Sequence, residues 1–126
     1  VGAISFLKKL NETVPFTGYI VEYYYGTTIP NWVQKVKSGK TVEIKYFYEN
    51  GNKQSSSECG YKGELGNGVY LEWYKDGNLK IEGHYVKGKK NGLWTYYYSN
   101  GNKSNRGKYS KDKKKGKWEH WSEKGE

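Results

Sequence analysis

At 126 residues and a net charge of +9, the chain has room for one compact unit or one short solenoid, not for several domains. Leu, Ile, Val and Phe number only 22, which at this charge would suit a disordered chain, but Phe, Trp and Tyr make up 17%, and each ring can bury ~150–250 Å². The composition therefore excludes an aliphatic core and predicts an aromatic one. The single Cys59 excludes an internal disulfide, and no apolar run nears the ~20 residues of a membrane helix.

Residues 1–15 come first. Ile4, Leu7, Leu10 and Val14 are spaced for a short helix or cap. Terminal repeats need covering, so this N-terminal cap segment is expected to shield the edge of the first hairpin. The chain begins at Val1 and contains no methionine, which suits either a processed or a trimmed chain.

From residue 16 onward one pattern recurs. Gly68 to Gly77 (GVYLEWYKDG) is echoed by Gly92 to Gly101 (GLWTYYYSNG) and by Gly116 to Gly125 (GKWEHWSEKG). Earlier, Val42 to Gly51 keeps Ile44, Phe47, Tyr48 and Asn50-Gly51, and Gly18 to Tyr24 keeps Ile20, Tyr23 and Tyr24. The leading positions 18, 42, 68, 92 and 116 lie 24, 26, 24 and 24 residues apart. The extra two residues are expected in Ser55-Ser56-Ser57. Gly83-His84-Tyr85 matches Gly107-Lys108-Tyr109, and Cys59-Gly60-Tyr61 is expected to take the same place one unit earlier. A fixed period in this range marks stacked units, none of which folds alone. The domain is 16–126, with units at about 16–41, 42–67, 68–91, 92–115 and 116–126.

Each unit reads as a β-hairpin. Asn50-Gly51, Asp76-Gly77 and Asn100-Gly101 are turn dipeptides between segments rich in Tyr, Trp, Val and Ile. In the third unit this gives a strand over 68–74, a strand over 79–86 and a looser connection over 87–91. The expected fold is all-β: an elongated single sheet of about five stacked antiparallel hairpins, or about ten strands, the fifth hairpin without a return strand. Alternation then sets two columns. One holds Ile20, Ile44, Tyr70, Trp94 and Trp118; the other holds Tyr23, Phe47, Trp73, Tyr97 and Trp121. Gly83 and Gly107, in return strands, leave room for a neighbouring ring.

Pro15-Phe16-Thr17-Gly18-Tyr19, and Gly83 to Trp94 followed by Tyr97-Tyr98-Ser99-Asn100-Gly101, resemble the bacterial variant of the MORN repeat. The resemblance covers roughly 15–126 and is strongest over 68–125. It implies a stack of hairpins without catalytic machinery, acting as a scaffold, a dimerisation module or a phospholipid-associated module. Some members carry an antitoxin-like label.

The residues themselves favour binding over catalysis. No motif spacing around His84, His120 or Cys59 matches a nucleophile or a zinc site. No enzyme activity, catalytic residue, metal site or cofactor is therefore expected, and no small-molecule substrate is implied. Two candidate surfaces stand out. The column Tyr23, Phe47, Trp73, Tyr97 and Trp121 would meet a macromolecule, foremost a protein partner or a second copy of the chain. Lys87, Lys89, Lys90, Lys111, Lys113, Lys114 and Lys115 gather between repeats and form a candidate anion-binding edge. The alternative function is thus attachment to an anionic membrane surface. Nucleic acid is disfavoured, since Arg106 is the sole Arg and the rings are explained as core. The expected setting is soluble, either cytoplasmic or exported after signal removal.

Overall fold

The computed structural model describes residues 15–59 and 65–126; of the expected cap only Pro15 falls within the described residues. The strands are β1 (Gly18–Tyr23), β2 (Pro30–Lys37), β3 (Lys40–Phe47), β4 (Lys53–Cys59), β5 (Leu65–Trp73), β6 (Leu79–Val86), β7 (Lys89–Lys90), β8 (Gly92–Tyr97), β9 (Lys103–Ser110) and β10 (Lys113–His120). They form one antiparallel sheet in which neighbours in sequence are neighbours in space. The short β7 and β8 both pair with β6. Asn91 separates them and donates its N–H to the His84 carbonyl at 2.9 Å. The expected all-β stack of hairpins is what the chain builds.

The turns divide differently from the sequence reading. Ser38-Gly39, Lys87-Gly88 and Lys111-Asp112 all have both residues at positive φ. That is the signature of a tight two-residue turn whose twist matches the strands. The expected loose connection over 87–91 is therefore a sharp hairpin, and the whole sheet is a continuous meander. The Asn-Gly and Asp-Gly dipeptides lie instead in wider loops, where only the glycines Gly51, Gly77 and Gly101 take positive φ. There the preceding Asn or Asp side chain bonds ahead to the N–H of Asn52, Asn78 or Asn102 at 2.9 Å. The lone strong turn dipeptide thus marks the place of a bend but not its type.

Register also moves the two-residue insertion. Ile44 pairs with Ser57, as Tyr70 pairs with Gly83 and Trp94 with Gly107. Ser57, not Cys59, is the counterpart of Gly83, and the hairpin through Ser57 is of regular length. The extra residues therefore fall between Ser57 and Gly68 rather than in the serine run. Val42, which replaces the leading Gly, has no partner where the β2–β3 register shifts. Its counterparts Gly68, Gly92 and Gly116 have φ of 117°, 76° and 70°, a region a β-branched residue avoids.

Among the described residues the sheet is a single layer, so the side chains of one face bury each other. On the face of Tyr70, Trp94 and Trp118, here the ladder face, Trp94 is 1% exposed. Tyr85 and Tyr109 meet it edge-on at 5.1 and 6.0 Å, and Tyr70 stacks at 6.0 Å. Trp118 repeats the arrangement against Tyr109 at 5.0 Å. Each indole crosses onto the glycine of the preceding hairpin. A Cβ on Gly83 would lie 2.1 Å from the Trp94 ring, and one on Gly107 would lie 2.2 Å from Trp118. The indole N–H groups then donate to the carbonyls of His84 and Lys108, both at 3.2 Å. Burying a ring of this size stabilises by ~4–6 kcal/mol before entropic losses.

A second linkage runs along the loop side. The hydroxyls of Tyr24, Tyr48, Tyr74 and Tyr98 donate to the carbonyls of Phe47, Trp73, Tyr97 and Trp121 at 2.6 to 2.8 Å. Phe47, Trp73 and Tyr97 sit where the strand register shifts, and the previous hairpin's tyrosine gives each carbonyl a donor. Asn78 and Asn102 side chains add bonds to the carbonyls of Ser99 and Glu123. Adjacent hairpins are thus joined at ladder and loop alike.

Two outcomes test this packing by denaturant unfolding. Gly83→Ala must displace the Trp94 ring and should cost about 1–3 kcal/mol, as overpacking does. Tyr74→Phe keeps the ring and loses one bond, which should cost about 1 kcal/mol. A Gly83→Ala protein as stable as wild type would mean that Trp94 does not rest on that backbone.

Candidate binding face

The opposite face, here the open face, is defined by the same alternation. Phe47, Trp73, Tyr97 and Trp121 stand on it half-buried, and Tyr23 is 53% exposed. The structure therefore brings all five sequence-chosen rings to the less covered side. Cations sit among them. The Lys53 ammonium lies 5.4 Å from the centre of the Trp73 ring, and Lys103 and Arg106 lie 5.9 and 5.8 Å from that of Trp121. Arg106 also forks onto one Glu119 oxygen at 2.9 and 3.1 Å. Register fixes the interleaving: Phe47 pairs with Lys53, Trp73 with Leu79 and Tyr97 with Lys103.

Beside this row lie aliphatic side chains that the sequence reading passed over. Leu93 is 52% exposed, Val69 42% and Val86 40%. They could have been found, because each directly neighbours a ladder-face ring and so must point the other way. Two shallow troughs meet at Leu93. One, of about 600 Å³, runs past Arg106, Lys108, Lys115 and Lys117; the other, of about 350 Å³, runs past Val69, Leu71, Glu82 and Thr95. The open face thus combines an apolar strip with flanking cations.

The seven edge lysines do not act together. Lys90 and Lys114 turn onto the ladder face. The Lys90 ammonium lies 5.0 Å from the ring centres of both Trp94 and Tyr109, and Lys114 lies 4.6 Å from that of Trp118. These cations cap the rings and contribute to the fold. Lys87 and Lys111 occupy the tight turns and, with Lys89 and Val86, line a groove of about 370 Å³. Lys89, Lys113 and Lys115 pair with Val86, Ser110 and Lys108 and so share the open face.

Electrostatics distinguish three tyrosines. Burial, then the hydrogen bond and charge of Glu82, push the Tyr97 hydroxyl from 10.0 up to about 12, with Arg106 pulling the other way. The bond to Glu82 is 2.6 Å long. Burial and then Glu72 raise Tyr70 as well. Burial also raises Tyr109, with Lys90 and Lys114 opposing. Among the described residues no group of three or more His, Cys, Asp or Glu is placed to hold a metal ion. His84 is exposed on the open face; His120 bonds Asn105. No described helix is long and apolar enough to cross a membrane.

No family model matches the chain, and no curated protein matches it.

The Tyr97 shift predicts an alkaline limit to stability. Its folded pKa lies above its unfolded one, so between about pH 10 and 12 the unfolded state has lost the proton that the folded state keeps. Stability is therefore fully present below pH 10 and falls as pH rises through that window. Tyr97→Phe should make this decline shallower, as followed by unfolding at a series of pH values. A decline no shallower than wild type would mean that Tyr97 titrates normally.

Proposed function

We propose that the protein is a non-enzymatic binding module of the MORN-repeat kind, which holds a protein partner against its open face. The carrying observation is the contrast between the two faces. One buries its own ladder; the other leaves Leu93, Val69 and Val86 at least 40% exposed beside a row of half-covered rings. Sheets in most domains pack each apolar face against another layer. An apolar strip rimmed by cations is the composition of a recognition surface. The family assignment rests on the repeat itself: the Gly83-on-Trp94 seat and the tyrosine-to-carbonyl bond explain why the motif spaces Gly, aromatic and Tyr as it does. The lysine edge is the weaker candidate, because Lys90 and Lys114 are engaged with rings.

Chemical cross-linking of the protein in its native cell, read by mass spectrometry, tests the reading. Cross-links to a partner, or to a second copy, should involve the open face. Leu93→Glu should abolish them at physiological salt while changing stability by less than about 0.5 kcal/mol, since the side chain is exposed. A Lys113→Glu/Lys114→Glu/Lys115→Glu variant that loses association while Leu93→Glu keeps it would transfer the contact to the edge. Retention by anionic vesicles, lost steeply with salt, would then point to a membrane.

A further inference from the structure

The spacing and charge of the open-face row define a narrower ligand than "a protein". Equivalent residues in successive hairpins are two strands apart, so the rings of Phe47, Trp73, Tyr97 and Trp121 recur every ~9.4–9.8 Å along the sheet. Three residues of a polyproline helix advance ~9.3 Å, and three of a fully extended strand ~10 Å. One ring per three residues is therefore the natural match, and aromatic grooves suit a polyproline segment, which is already ordered before it binds. Lys53 and Lys103 stand between successive rings, both exposed, and favour acidic residues in the ligand.

The geometry points to an extended, acidic, proline-rich segment of a partner protein, lying across the strands with every third residue against a ring. The assignment rests on the binding reading above and gives it a chemical class. Single-stranded nucleic acid fits less well. Bases need free ring faces, whereas Lys53 lies over Trp73, and Lys103 and Arg106 lie over Trp121. A continuous phosphate chain would also pass the Glu82 and Glu119 carboxylates on the same face. A peptide with acids at intervals can avoid them.

The test titrates the full chain with a (Glu-Pro-Pro)n peptide of about twelve residues, enough to span all four rings. Tryptophan fluorescence and calorimetry at physiological salt give the affinity. The expected dissociation constant is below ~100 μM, and a (Glu-Ser-Ser)n peptide of equal length should bind about tenfold more weakly. Lys53→Glu/Lys103→Glu, an exposed pair, should weaken binding by about tenfold or more in protein that denaturant unfolding shows to be folded. No binding at ~1 mM, equal affinity for the serine peptide, or indifference to the charge reversal would overturn the proposal. Tighter binding of an oligothymidylate would assign the row to a nucleic-acid strand instead. If cross-links still depend on Leu93 while the proline peptide fails, only the peptide class is wrong. If both fail, the binding reading falls too.

Discussion

A tryptophan seated on a glycine of the preceding hairpin gives this sheet its most buried side chain. Trp94 reaches 1% exposure because Gly83 offers bare backbone beneath it and Tyr70, Tyr85 and Tyr109 surround it. Ring size follows the space available. Where the seat is Ser57, the next hairpin presents Tyr70 rather than Trp; where it is Gln34, the next presents Ile44. The ladder thus narrows toward β1, and the ring-on-ring contacts run from β5 to β10. Because each seat and its occupant come from different hairpins, one hairpin alone has no core. Stability is a property of neighbours, as expected of a linear repeat.

The same constraint shapes the other face. A strand alternates its side chains, so each residue committed to the ladder sends its neighbour outward. Trp94 fixes Leu93 on the open face, Tyr70 fixes Val69, and Tyr85 fixes Val86. What they meet is set by the cations and carboxylates around them, Arg106 with Glu119 and Tyr97 with Glu82. The cations divide as well. Lys90 and Lys114, one period apart, cap the ladder rings, while Lys53 and Lys103 stand among the open-face rings.

Much of this architecture was legible in the chain. The period gave the hairpins, alternation gave both columns, and Gly83 and Gly107 were readable as ring seats. Turn type was not, because Lys87-Gly88 and Lys111-Asp112 look like ordinary linker residues, and only their positive φ shows a two-residue turn. The insertion was misplaced because serines resemble loop residues, yet Ser55, Ser56 and Ser57 are paired strand residues. The lysine edge was overcounted: spacing alone does not reveal that Lys90 folds back over Trp94. The open-face apolar strip is legible from alternation alone, since Leu93, Val69 and Val86 each adjoin a ladder-face ring.

The architecture and the binding face both depend on which side of the sheet is the core. Hydroxyl-radical footprinting, with oxidation rates resolved residue by residue by mass spectrometry, measures this in one experiment. The adjacent pair Leu93 and Trp94 is the sharpest comparison, because an indole is intrinsically the more reactive group. Trp94 should be strongly protected relative to that intrinsic rate, while Leu93, Trp73 and Trp121 react as partly exposed residues. Rapid oxidation of Trp94 with protection of Trp73 and Trp121 would contradict the account, because it would exchange core and surface.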